Sequence, residues 1–230
     1  MKKDSRQLLH VGINLVSIPA IKIDKPKAIE FQVALTTQGM DYSSAQPLQD
    51  RIVIERKDPT PLQISAISPI NQPFSQLLVM SPKPATSELF IAETEAVAKA
   101  FQIVWPAEKR QLIGADATIR ELHETSDDHA FKEIWETRLG QPASSLLAFD
   151  KPIRGGGLRF VLDPIPEEED PVQVEIKIES FFQNTNKIYL ETIFRWLHPS
   201  GTFDVRERLS RMNEYINLHI MKFLRGESND

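Results

Sequence analysis

The chain has 230 residues, 41% hydrophobic and 26% charged, which supplies enough apolar material for one large core or two small ones and is not the composition of a disordered chain. The absence of cysteine excludes a disulfide framework, a thiolate metal site and a cysteine nucleophile. A formal net charge of −5 leaves no overall basic field for a polyphosphate backbone, and no apolar run approaches the roughly 18 residues that span a bilayer. The expectation is a cytoplasmic protein with no membrane segment and with nucleic acid disfavoured as a partner.

In chain order, IEFQVALTT from Ile29 alternates apolar and polar residues, with Ile29, Phe31, Val33 and Leu35 on one side, and is read as a strand. RIVIER from Arg51 adds a shorter one. From Ser87 to Trp105 the spacing turns helical: Leu89, Ala92, Ala96, Val97, Ala100, Phe101 and Val104 form a stripe behind Ser or Thr cap candidates, with Glu88 in the first turn and Pro106 as the stop. A short helix follows from His129 to Leu139, with Phe131, Ile134 and Trp135 inward and Gly140 at its end. GLRFVLD from Gly157, VQVEIKIES from Val172 and KIYLETIFRWL from Lys187 return to strand patterning, and FQNTNK between the last two has the polar character of a hairpin loop. The last helix is capped by Asp204 or Thr202, carries Val205, Leu209, Met212, Ile216, Ile220 and Phe223 as its stripe, and ends at Gly226; residues 227–230 read as a frayed tail.

One-sided alternation of this kind implies antiparallel sheet, so the fold class is α+β with antiparallel sheets and long amphipathic helices. Two echoes run through it. PLQI at Pro61 returns as PVQV at Pro171, and QLLHVGINL at Gln7 resembles QLIGADATI at Gln111. They point to an internal duplication of two β-rich repeats each followed by a helix, 1–106 and 107–226, with unequal offsets that require gaps. No flexible linker marks a boundary near Pro106, so residues 1–230 are read as a single compact unit.

The densest cluster of ligands and proton carriers is IRELHETSDDHAF, where Glu121, His123, Asp127 and His129 are the catalytic candidates and His123, Asp127 and His129 the metal candidates. A helical HExxH site is excluded, because two histidines six positions apart stand about 240° apart around a helix. The simpler reading makes Asp127 or Asp128 the cap of the following helix and leaves the histidines at the surface. In PIRGGGLRF, Arg154 and Arg159 are candidates for anion binding, but the glycines lead into a strand rather than a helix, which favours a bend or close backbone crossing. The acidic DPIPEEEDP is a solvated loop without the ligand spacing of a calcium loop.

No cofactor is expected. With no nucleophile motif, the leading expectation is a non-catalytic protein-interaction or assembly module, adaptor- or chaperone-like, that binds another protein or a second copy of itself through a sheet edge or helix face. The alternatives are a metal- or carboxylate/histidine-dependent hydrolase or lyase, and nucleic-acid binding through the arginines of the C-terminal helix.

Overall fold

A computed structural model describes residues 1–2, 5–40, 42, 45–199 and 203–227. The expected α+β architecture is present, with every strand in one antiparallel sheet. The chain runs β1 (Gln7–Ile18), α1 (Lys25–Thr37), β2 (Ala45–Pro47), β3 (Arg51–Arg56), β4 (Leu62–Ile67), β5 (Ser75–Ser81), α2 (Ser87–Val104), β6 (Gln111–Glu124) and α3 (Ala130–Lys132). It continues through β7 (Gly157–Leu162), β8 (Gln173–Ser180), β9 (Lys187–Trp196), α4 (Val205–Tyr215) and α5 (Met221–Arg225). The nine strands are ordered β2-β3-β4-β5-β1-β6-β9-β8-β7, so β1 and β6 are central and β2 and β7 are the edges.

The central register has a regularity that neither strand imposes alone. Moving each β1 position on by 104 residues, Gln7 to Gln111 and Ile18 to Leu122, returns the same set of β1–β6 pairs with Ile13 opposite Ala117 at its centre. Both irregularities obey it, since Leu8–Glu121 becomes Leu112–Ser17. The outer strands keep the corresponding pairings at larger offsets: Gln63 pairs with Met80 and Met80 with Gly12, while Gln173 pairs with Arg195 and Arg195 with Asp116.

One face of the sheet carries the helices. Ile13, Ile52, Ile64, Leu77, Val79, Ala117, Ile178, Leu190 and Phe194 are buried there in one core with Phe31, Val97, Phe101, Leu209, Met212 and Ile216. The residues between them, such as Asn14, Leu78, Met80 and Ile193, are only half-buried on the other face. That face differs along its length. Leu78, Met80, Val53 and Ile67 dominate the first half, whereas Arg120–Glu191 and Arg159–Glu175–Arg195 ion pairs cover the second.

The segment expected to be a strand at IEFQVALTT is instead the body of α1. Phe31 and Leu35 lie four apart and so satisfy both periodicities, but Ile29 and Val33 are 54% and 60% exposed while Ala28 and Ala34 are buried. The deciding signals precede the run: Asp24 accepts a hydrogen bond from the Lys27 amide, and a proline occupies the first turn. Phe31 then packs edge-on against Phe101 and Trp105 of the α2 end.

The other helices follow the pattern with two local changes. Thr86 caps α2 and Asp204 caps α4; Thr202, the other cap candidate, and most of the 227–230 tail lie outside the described residues. Between α4 and α5 a π-type turn, Ile216–Ile220, inserts an extra residue and rotates the helix, so Met221 and Leu224 are buried and Phe223 is 40% exposed. The short helix after β6 also becomes a π-type turn, Glu133–Arg138. Its cap is His129, whose Nδ1 accepts from the Phe131 amide, and not Asp127 or Asp128.

Candidate functional site

Glu121 and His123 are two positions apart on β6 and therefore face the same side of the sheet. Both are buried beneath the helices, which corrects the surface placement expected for His123. Glu121 Oε1 lies 2.7 Å from His123 Nε2, its other oxygen accepts from Arg6 Nε at 2.7 Å, and Arg6 donates onward to Asn213 of α4 at 3.0 Å. Burial pushes the Glu121 carboxyl up, but His123 and Arg6 outweigh it and hold the pKa below the ordinary value. The result is an ionised clamp joining the start of β1, the end of β6 and α4, and neither Glu121 nor His123 lines any of the principal cavities.

Asp127 and His129 are engaged elsewhere. Asp127 accepts from the Thr137 hydroxyl at 3.1 Å, and His129 serves as the cap described above. Among the described residues no group of three or more His, Asp or Glu side chains is placed to hold a metal ion. A carboxylate not singled out in the sequence, Glu133, gathers the polar groups of this region instead: the Met1 amine, the Thr125 hydroxyl, the Ser126 amide at 2.8 Å and Arg138 at 3.2 Å. Burial raises its pKa, and the amine, hydroxyl and amide more than reverse this, holding it at about 2.

The anion candidates are separated too. Arg154 donates to the Phe182 carbonyl at 3.4 Å, and Arg159 pairs with Glu175 at 2.7 Å. The glycines between them mark a close crossing: a Cβ on Gly157 would stand 2.0 Å from the Ile178 carbonyl, and one on Gly156 would enter the Phe131 ring. In the last helix, Arg206, Arg208 and Arg211 hold Glu95, Asp170 and Glu168.

The concave surface of the second half lies between β7 and the α4–α5 helix. Cavities of about 410 and 210 Å³ adjoin there, sharing Leu162, Tyr215 and His219. Phe160 meets Phe223 edge-on at 5.9 Å, and Tyr215 packs against Phe194 at 5.5 Å and His219 at 4.7 Å. Burial raises the Tyr215 pKa, Glu168 adding to it, so the phenol stays neutral. Among the described residues strand β7 pairs only with β8, and its outer backbone groups face no other strand. Phe160, Val161, Leu162 and Ile165 are 37%, 52%, 38% and 55% exposed along it, and Asp163, Glu167, Glu168 and Glu169 follow.

The corresponding edge of the first half is closed. There β2 pairs with β3, Ala45 opposite Ile54 and Pro47 opposite Ile52, and Met40 and Tyr42 join the core in which Ile52 and Ile54 are fully buried. In sequence the apolar residues on both faces of GLRFVLD were the signal for an unusual strand, but nothing local told whether another element would cover it. No protein-family model matches the chain, and a search of curated proteins finds no match.

Proposed function

We propose that this protein is a non-catalytic interaction module that takes up an extended apolar segment of another polypeptide along β7. We also infer that it is built from two copies of one unit, residues 1–106 and 107–226, which the shared register and the positions of PLQI and PVQV support. The observation that carries the functional reading is the contrast between the two outer strands. In the first half an extended piece of the chain, β2, adds to the edge; in the second half the equivalent edge is bare among the described residues, beside a groove that is apolar at Phe160, Leu162 and Phe223 and charged at Asp163, Glu168, Arg211 and Glu214. Strand addition would satisfy the outward backbone groups of β7 and place alternate side chains against Phe160 and Leu162. Asp163, Glu167 and Glu169, which hold no ion pair among the described residues, favour a partner segment with lysine or arginine at the end that meets them, while Glu168 is held by Arg211.

The test is anisotropy of labelled peptides of alternating valine and threonine carrying two lysines or two glutamates at one end. The lysine-ended peptide is expected to bind more tightly, and Phe160→Glu to weaken it by roughly tenfold or more, since a charge would enter the desolvated groove. Unchanged binding to Phe160→Glu, or a homodimer sealed through β7 that excludes both peptides, would remove the proposal. The helix supports such a groove, because a π-type turn sits where Leu218 and His219 line it.

A further inference from the structure

Positions 104 residues apart in the central strands can be compared directly, and two of them are arginines: Arg6 before β1 and Arg110 before β6. Arg6 meets Glu121. The position that corresponds to Glu121 is Ser17, and this is what Arg110 meets, its Nη1 lying 3.4 Å from the Ser17 hydroxyl. Its Nε and Nη2 donate to the Trp105 carbonyl at 3.0 and 2.5 Å, and the guanidinium lies 4.5 Å from the centre of the Phe101 ring. Among the described residues no carboxylate lies within ion-pair distance of it. By contrast Arg6, Arg56, Arg138 and Arg208, the other arginines whose side chains are largely covered, each hold one. Burial lowers the Arg110 pKa, but a guanidinium remains charged.

The guanidinium stands at the wall of a cavity of about 270 Å³ that lies between the sheet, α2 and the start of α4 and opens to solvent on one side. The polar end consists of Arg110, Ser17 and, at the rim, Gln102; Leu15, Leu77, Ala98, Phe101, Phe203 and Val205 make the rest apolar. Ser17 is itself buried and lies 3.4 Å from the buried Ser75 hydroxyl, so it can give or receive a hydrogen bond at the polar end. The volume equals about nine waters at ~30 Å³ each, yet the walls offer few polar partners to hold water. A covered cation without its anion, next to an apolar space of this size, defines a ligand by what is missing.

We propose that this cavity binds a small monocarboxylate with an apolar body of roughly six to eight carbons, its carboxylate on Arg110 in the role that Glu121 plays for Arg6, and its body against Leu15, Leu77, Phe101 and Phe203. Titration calorimetry and thermal shift on the full chain, with octanoate and 3-phenylpropionate as probes, test it. Both are expected to bind saturably and raise the Tm, octanamide at least about tenfold more weakly for want of the charge, and acetate more weakly still, since each buried methylene contributes roughly a fourfold factor. Arg110→Met should weaken octanoate by about tenfold or more, and Ala98→Phe should fill the cavity and abolish binding with Arg110 intact.

In the wild-type chain octanoate should protect Arg110, and octanamide should not, from phenylglyoxal as read by peptide mass; this needs no variant. No saturable binding of either carboxylate, octanamide as tight as octanoate, an Arg110 reactivity that octanoate leaves unchanged, or full octanoate affinity in folded Ala98→Phe would each overturn the proposal.

Discussion

At the outer end of β1-β5-β4-β3 the sheet is sealed by β2, and Ile52 and Ile54 are fully buried; at the outer end of β6-β9-β8-β7 no strand follows among the described residues, and Phe160 and Leu162 keep more than a third of their surface. Near the centre the contrast is one of charge. Glu121 neutralises Arg6, whereas Ser17 leaves Arg110 with carbonyl and hydroxyl partners only. Matched strand registers thus support a sealed edge beside β3 and a bare one at β7, and, across the β1–β6 pair, one arginine that meets a carboxylate and one that does not. What differs is one side chain at the central strand and the fold of the connecting segment, which becomes α1 and β2 after β1 but α3, the π-type turn Glu133–Arg138 and a 3-10 segment, Ala143–Phe149, after β6. Openness here is decided locally, on strands that pair in matched register.

The sharpest way to break the comparison is to remove the charge that closes one site. Glu121→Leu leaves His123 buried without its partner and Arg6 with only Asn213, and is expected to cost about 3 kcal/mol, at the lower end for a broken buried pair because Arg6 is partly exposed. Arg110→Met removes no ion pair and should cost about 1–2 kcal/mol, mostly the bonds to the Trp105 carbonyl. Urea unfolding of both variants measures the difference. Equal losses would mean that Arg110 is already neutralised and that the two sites are not opposites.

A second pair of substitutions tests the edges. Ile52→Ala empties part of a sealed core and should cost about 2–4 kcal/mol, whereas Phe160→Ala trims a side chain that still reaches solvent and should cost about 1 kcal/mol. The same unfolding curves decide it. If Phe160→Ala proves as costly as Ile52→Ala, β7 is covered in solution and the groove is not open.

How much of this was legible in the sequence depended on whether the governing contact was local. VQVEIKIES became β8 because its alternation reports its own two faces, and Thr86 and Asp204 capped α2 and α4 because a cap acts within three residues. IEFQVALTT misled because Phe31 and Leu35 fit either period, and the Asp24 cap that resolves them lies outside the alternating run. Phe223 left the buried stripe because a π-type turn shifted the phase, which no residue in the stripe announces. In IRELHETSDDHAF, strand parity brought Glu121 and His123 together, but Arg6 arrives from more than a hundred residues away. Glu133 shares this only in part: Met1 arrives from 132 residues away, whereas Thr125, Ser126 and Arg138 lie within eight residues and are gathered by the loop after β6 and the π-type turn. The contrast between Arg6 and Arg110 required both the register and the cavity.

The smallest expected effect concerns the two helices that close the halves. Thr86 accepts from the Leu89 amide at 3.1 Å, and Asp204 from the Glu207 amide at 3.0 Å, so alanine at either should cost about 1 kcal/mol and lower the Tm by roughly 2–4 °C. Asp204→Ala should be the costlier by a few tenths, because its carboxylate also opposes the helix dipole, whereas Thr86 is neutral. The difference in consequence should exceed the difference in stability. Val205 and Phe203 flank Asp204 and line the Arg110 cavity, so a frayed first turn of α4 would loosen that wall, while the α2 residues that line it, Ala98, Phe101 and Gln102, lie roughly three to four turns beyond Thr86. Octanoate affinity measured on both variants should therefore fall for Asp204→Ala and hold for Thr86→Ala. Equal affinities would place the ligand's contacts entirely on the sheet and α2, and take α4 out of the cavity's closure.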